Sequence, residues 1–319
     1  MTLFDPDLAA APRAAEAGSP GAGPRGGADP DADPHADPDP RSHPPTDAGT
    51  GRRRAPSAAR TRLRLEISYD GTGFRGFAAQ PGQRTVAGVL TDAIAVVAGH
   101  SVELVCAGRT DAGVHAQGQV VHVDVHPEVD VERLLRSVNT ITAPQIVVRT
   151  AAPAPEGFDA RRSARARRYR YLIYEAPTAD PLLARQAWHV VGPLDLRAMV
   201  GAADCFVGEH DFRAFCRRVP GSSPDAPIPR RVLDARLGEV PGLDGERPGG
   251  GRLLRFDITA TSFCHQMVRS IVGILAEVGR GRRRASDVVW MLREGDRSRV
   301  GGVIAPPQGL CLVAVAYDD

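Results

Sequence analysis

The chain has 319 residues, 42% hydrophobic and 24% charged, with a formal net charge of +2, which is ordinary globular composition and enough for one large or two modest domains. No apolar run approaches the roughly 20 residues that a bilayer demands, and the opening MTLFDPDLAAAPRAAEAG lacks the basic-then-apolar order of a secretory signal, so a cytoplasmic protein is expected. All 40 basic residues are Arg, so their number alone says little and their positions must carry any argument.

Residues 1–61 are rich in Ala, Pro, Gly and Asp and almost devoid of large apolar side chains. Such a segment cannot bury enough surface to offset the entropy of ordering, which predicts a disordered acidic tail, followed at 51–62 by the basic linker GRRRAPSAARTR. The first 50 residues hold nine Asp or Glu against three Arg, leaving +8 for the remainder. A moderately basic body of that kind fits a polyanionic partner.

From Leu63 the pattern LRLEISY alternates apolar and polar residues, which predicts a half-buried strand to Tyr69, and the turn DGTG follows. Thr85 is a plausible N-cap for a helix in which Val86, Val89, Leu90, Ile94 and Val97 recur at helical spacing. Strands are expected at Val102–Cys106 and Gln119–Val125, a short helix at Val131–Val138, and strands at Ile146–Thr150 and Arg168–Tyr174. The remainder repeats the style. It predicts a helix from Asp195 to Phe206, strands at Arg231–Leu237 and Leu253–Ala260, helices at His265–Val278 and Ser286–Arg293, and a closing strand at Leu310–Ala316. The stretch PGLDGERPGGG, Pro241–Gly251, reads as a flexible hairpin loop. Cys106, Cys205, Cys216, Cys264 and Cys311 form no close pair of the zinc or redox kind, and are expected to be reduced and mostly buried.

Strands joined by hairpins, with helices on one face, predict an α+β fold of two similar halves, residues 62–167 and 168–319, rather than a doubly wound parallel sheet. There is no GxGxxG after a strand, no GxxxxGK[ST] and no HExxH, so nucleotide cofactors and catalytic zinc lack their commonest signatures.

Between two expected strands lies AGRTDAGVHAQGQ, Ala107–Gln119, which places Arg109, Asp111 and His115 in one glycine-punctuated loop. Taken alone, R-T-D reads most simply as a salt-bridged turn. The longer string, however, resembles the signature of the TruA-type tRNA pseudouridine synthases, and the likeness runs on through residues 62–319. SYDGTGFRGF (Ser68–Phe77), TVAGVL (Thr85–Leu90), FDARRSARARRYRYLIY (Phe158–Tyr174), GEHDFRAF (Gly208–Phe215), FCHQMVRSIVGILAEVG (Phe263–Gly279) and APPQGLCLVAV (Ala305–Val315) stand in the family's order. The chain departs from the family with GFAAQ at Gly76–Gln80 for Gly-Trp-Gln-x-Gln, with Ala87 for the Gln of Thr-Val-Gln, and with Ser270 where Asn is common.

The resemblance implies conversion of uridine to pseudouridine in the anticodon stem-loop of tRNA, at positions 38 to 40. It implies a homodimer with an RNA-binding cleft between the halves, no metal and no small-molecule cofactor. Asp111 is then the nucleophile, attacking at the sugar C1′ or the base C6. Arg269 keeps it ionised, Arg109 fills the space left by the extruded base, Tyr169 stacks on the uracil, and Leu310 lines the pocket. Basic stretches at Arg161–Arg170 and Arg280–Arg284 are candidate phosphate contacts, while His115, His210 and His265 are expected to be structural or RNA-contacting. Two other readings remain: a non-catalytic RNA-binding protein on the same fold, and a hydrolase using Asp111 with His115.

Overall fold

The computed structural model describes residues 60–218, 221, 223, 225–241, 251–300 and 303–318. The expected acidic tail, all but the end of the basic linker, and nearly all of the Pro241–Gly251 loop lie outside the described residues. In chain order the elements are β1 (Thr61–Tyr69), α1 (Val86–Ala98), β2 (Leu104–Cys106), β3 (His115–Val125), α2 (Val131–Thr142), β4 (Ile146–Pro153), β5 (Ala164–Glu175) and β6 (Trp188–Val190). They continue with α3 (Leu196–Asp204), β7 (Gly208–Asp211), β8 (Pro229–Glu239), β9 (Arg252–Ala260), α4 (Met267–Gly279), α5 (Ala285–Glu294), α6 (Arg297–Val300) and β10 (Leu310–Tyr317).

The strands form one continuous sheet in the order β4-β1-β3-β10-β5-β9-β8-β7, with β2 paired to β3 and β6 to β5. Most neighbours are antiparallel, but β10 runs parallel to β3 through Cys311↔His115 and Leu312↔Ala116. On its other side β10 is antiparallel to β5, where Leu312 meets Tyr169. The last strand of the chain is thus the seam joining the two halves. The boundary expected at 167/168 falls inside β5, the strand between β10 and β9.

The periodicity of β1 explains which face is covered. Leu63, Leu65, Ile67 and Tyr69 are all buried, and the first three sit opposite Val123, Val121 and Gln119 of β3. Leu90 and Ile94 of α1 and Leu134 and Val138 of α2 join them in one apolar cluster, which continues through β5, β9, α3 and α4. The opposite face of β3 is covered instead by a smaller cluster of Ala107, Val120, Phe158 and Ala160. Each fully buried Leu, Ile or Phe adds roughly 1.5–3 kcal/mol relative to its exposed state.

Helix ends follow the local chemistry. The Thr85 side chain accepts from Gly88 N at 3.2 Å, and Gly99 closes α1 in the left-handed region at φ 72°. Asp130 and Asp195 cap α2 and α3 by accepting from Arg133 N and Ala198 N. Several boundaries move from expectation, and two of the shifts have a local cause. β3 begins at His115 rather than Gln119, because Ala116 pairs with Tyr69 on one side and Leu312 on the other. α2 runs one turn further to Thr142, whose hydroxyl donates to Val138 O and Ile146 O and closes the end that its polar sequence left open. The short β6, β7 and α6 are absent from the sequence reading, since three- and four-residue elements leave no period to detect.

Twelve of the thirteen residues of α4 are buried, and the exception is Arg269. A helix apolar nearly all round belongs inside a core, so its one partly exposed guanidinium is held at a defined place. No helix among the described residues is long and apolar enough to cross a membrane.

Candidate active site

The loop from Ala107 to Val114 leads from β2 into β3 and is pinned along its length. Tyr69 Oη and Thr110 Oγ1 share a hydrogen bond of 2.8 Å, Gln119 Nε2 donates to Gly108 O at 2.6 Å, and Phe77 N donates to Thr110 O at 3.0 Å. Arg167 of β5 donates to Ala107 O at 2.9 Å as well as to Thr261 O and Arg161 O. The glycines of the DGTG and GFRG turns permit this closeness. A Cβ at Gly71 would run into the Val114 carbonyl, and Gly76, at φ 97°, would bring one to 2.9 Å from Thr110 O. Gly71→Ala should therefore push the loop aside. Its expected effect is a roughly 100-fold loss of single-turnover rate, the scale of an ångström misplacement, with tRNA affinity within about threefold of wild type in a filter-binding titration.

This loop carries Asp111, half-buried, to the first turn of α4. Arg269 Nη1 donates to Asp111 Oδ2 at 2.9 Å. Arg269 is fixed in turn by Nε donating to Ala305 O at 2.8 Å, while Ala305 N donates back to Arg269 O at 3.0 Å. On the other carboxylate oxygen, His265 Nε2 lies 3.4 Å from Oδ1. Burial pushes the Asp111 carboxyl upward, but the hydrogen bonds and charges of His265 and Arg269 outweigh it, and the net direction is below the ordinary value of 3.8. Asp111 is held as a carboxylate.

Tyr169 is buried, with its ring edge-on to Phe263 at 5.0 Å between centroids. A Cβ at Gly108 would stand 3.9 Å from its hydroxyl, so the phenol faces the Asp111 loop. Burial raises its pKa, Arg167 opposes that, and Asp111 adds to it, so the phenol stays protonated. Leu310 is buried at the start of β10 opposite Tyr171, whose hydroxyl donates to Pro306 O at 2.7 Å. Pro307 in turn packs 3.0 Å from the position of a Cβ on Gly113. Arg109 stands exposed on the same loop as Asp111. The five residues expected from sequence thus lie on four segments, the β2–β3 loop, β5, α4 and the β10 entry, gathered at the seam where β3, β10 and β5 adjoin.

Other expectations resolve differently. His115 Nδ1 lies 3.1 Å from both Gly71 N and Asp70 Oδ1, which ties it to the turn after β1. His265, expected to be structural or RNA-contacting, is the residue that the sequence reading undervalued. Its one signal in the sequence is its place beside Arg269 in the FCHQMVR string, since the left-handed turn at Gln266 puts it outside the helical spacing. Of the basic stretches, Arg167 holds backbone carbonyls and Arg170 pairs with Asp257 at 3.1 Å. Arg280 and Arg282 turn onto Glu277, while Arg280, Arg283, Arg284 and Arg197 line an open cavity of about 720 Å³ at the far end of α4.

The expectation that all five cysteines are reduced is corrected. Cys216 and Cys264 form a disulfide with Cα atoms 5.7 Å apart, across 48 residues of sequence, a pairing that only the fold brings about. Burial pushes the Cys106 and Cys311 thiols up to about 11 and about 12, so neither is an available nucleophile at neutral pH. At Ser270, where the resembling family commonly carries Asn, the buried hydroxyl has no hydrogen-bond partner among the described residues.

Comparison with known proteins agrees in extent with this layout. The family model described as tRNA pseudouridine synthase matches residues 67–161 and 202–318. A tRNA pseudouridine synthase A of Frankia casuarinae is 46% identical over 258 residues, covering 80% of this chain and 89% of that protein. Its counterpart from Syntrophotalea carbinolica is 42% identical over 255 residues, covering 80% of this chain and 96% of the relative. That from Gloeobacter violaceus is 40% identical over 266 residues, covering 83% of each.

Proposed function

The chain belongs to the tRNA pseudouridine synthase family, an isomerase acting on tRNA uridine, and from that premise we propose that it modifies the anticodon stem-loop at one or more of positions 38, 39 and 40 with Asp111 as nucleophile. The single observation that carries this reading is the Asp111 carboxylate, kept ionised between Arg269 and His265 in a family-matched loop.

The reaction breaks the bond from uracil N1 to the sugar C1′, turns the base and rejoins it through C5. C5 loses a proton, N1 gains one, and no electrons are exchanged. What the protein must supply is a group that adds to the nucleotide and later leaves, and an ionised carboxylate suits that. The target base has to leave its stack to reach Asp111. In this reading Arg109, exposed two residues before the nucleophile, enters the vacated space. Tyr169 offers an aromatic face beside the loop for the flipped uracil, and Leu310 an apolar wall. Because Tyr169 is held neutral, it can stack and donate a hydrogen bond but is not a preformed base for the C5 proton. A homodimer is part of the same reading.

Release of tritium from C5-labelled uridine in tRNA tests the function directly. Transcripts labelled in the anticodon stem-loop should release it stoichiometrically with the pseudouridine formed among positions 38 to 40, and transcripts with cytidine at those three positions should release none. Tight tRNA binding without release would favour the non-catalytic RNA-binding alternative, and release from the second transcript would move the target elsewhere.

A further inference from the structure

Both oxygens of the Asp111 carboxylate are addressed from the entry of α4, Oδ2 by Arg269 at 2.9 Å and Oδ1 by His265 at 3.4 Å. One ion pair leaves a carboxylate able to swing about its last bond, whose torsion is broad. A second donor on the other oxygen fixes its plane, and a nucleophile needs its lone pair aimed to within about 10–20°.

The backbone beside His265 is unusual in a way that bears on this. Gln266 has φ 66° and ψ 5°, the one non-glycine residue at positive φ among the described residues. Such a conformation is costly for a residue with a Cβ and persists only where its surroundings dictate it. Here the surroundings are on both sides. Arg297 Nη2 donates to Gln266 Oε1 at 3.2 Å, Ser270 N donates to Gln266 O at 2.9 Å, and Arg217 N donates to His265 O at 2.9 Å. Cys264, immediately before, is tied to Cys216. The left-handed turn keeps His265 out of the first helical turn and on the approach to it, and from there the imidazole reaches Oδ1.

We propose that His265 is a positioning residue for the isomerisation, fixing the plane of the Asp111 carboxylate through Oδ1, and that the turn at Gln266 is the device that aims it. The inference rests on Asp111 being the nucleophile. His265 is also partly open to solvent, so the rival role is a contact with the RNA backbone.

The test is single-turnover kinetics from pH 5 to 9 with excess enzyme, together with tRNA affinity and thermal melts. His265→Leu should lose about 10- to 100-fold in rate, the scale of one hydrogen bond to a charged group, with affinity within about threefold and an unchanged melt. The groups facing Asp111 are His265 and Arg269 from the α4 entry and Tyr169 from β5, so removing His265 takes away a group that lowers its pKa, and the acidic limb should move to higher pH. His265→Gln retains a donor and should recover most of the rate. Gln266→Gly takes the turn freely and should turn over faster than Gln266→Val, which resists it and should repeat the His265→Leu loss. Should His265→Leu fail to fold, His265→Asn, too short to span the same distance, takes its place. A wild-type rate and acidic limb in His265→Leu, or a loss confined to tRNA affinity, overturns the positioning role. Equal rates in the two Gln266 variants overturn the part given to the turn. Turnover surviving in Asp111→Asn would instead remove the nucleophile reading itself.

Discussion

Asp111→Asn is expected to fold, to bind tRNA with wild-type affinity, and to form pseudouridine at a rate lowered by roughly 10⁴-fold or more, the scale seen when a covalent catalyst loses its nucleophile. The amide is nearly isosteric with the carboxylate, so the loop pinned by Tyr69, Gln119 and Phe77 has no steric reason to move. What changes is charge. Arg269 and His265 then face a neutral group, and half-burial of the pair makes the cost to stability about 1–2 kcal/mol. Binding is spared because most RNA affinity comes from phosphate contacts spread over a surface. Rapid-quench measurement of pseudouridine, beside a filter-binding titration, checks both halves. A variant within tenfold of the wild-type rate would sink Asp111 as the nucleophile.

The amino-acid sequence made some parts of this molecule legible and hid others, for physical reasons. Local order was readable because it is locally caused: the alternation in β1 and the Thr85 cap of α1 depend on residues within one or two turns. Motif likeness pointed to Asp111, Arg109, Tyr169, Arg269 and Leu310, and the fold brings their segments to one seam. What could not be read is the seam itself. β10 inserts between β3 and β5 through pairings far apart in sequence, such as Leu312 with Tyr169 and Cys311 with His115, and no window of sequence contains that information. The Cys216–Cys264 bond and the three carbonyls held by Arg167 are hidden for the same reason. Because every cation in the chain's basic stretches is Arg, the sequence also gives no way to tell Arg167, spent on backbone, from Arg109, left exposed.

The electrostatics of the site explain why an arginine and a histidine converge on a single acid. An acid taken out of water resists ionisation, and for Asp111 burial is the largest single influence, acting upward. Left to burial, the group would gain protons at mildly acidic pH and cease to be a nucleophile. His265 and Arg269 reverse the sign. The pairing therefore stabilises the folded state at neutral pH, and that contribution is lost only as pH falls through a carboxyl value already below the ordinary 3.8.

Arg269→Met follows from the same sign. The apolar side chain fits a helix whose other twelve residues are buried, so the substitution removes the charge without breaking α4. It also removes the donor that Nε gives to Ala305 O, loosening the segment that leads to Pro306, Pro307 and Leu310. Asp111 is left with His265 beside it, its pKa rises, and the acidic limb of the single-turnover profile should move to higher pH, with the plateau rate at least roughly 100-fold lower. A fully buried pair broken from one side costs roughly 3–5 kcal/mol. This pair retains some solvent access, with side chains 15% and 25% exposed, so a loss of about 2–3 kcal/mol is expected, since solvent screens part of the uncompensated charge. That loss should itself shrink as the pH is lowered, because protonating Asp111 discharges the group that Arg269 had balanced. Denaturant melts of wild type and variant at pH 7 and pH 4 measure that dependence, and quench-flow rates across pH measure the limb. If Arg269→Met matches wild type in stability at pH 7 and keeps its acidic limb in place, the contact with Asp111 contributes nothing in solution, and the ionised state of the nucleophile must be supported by His265 alone.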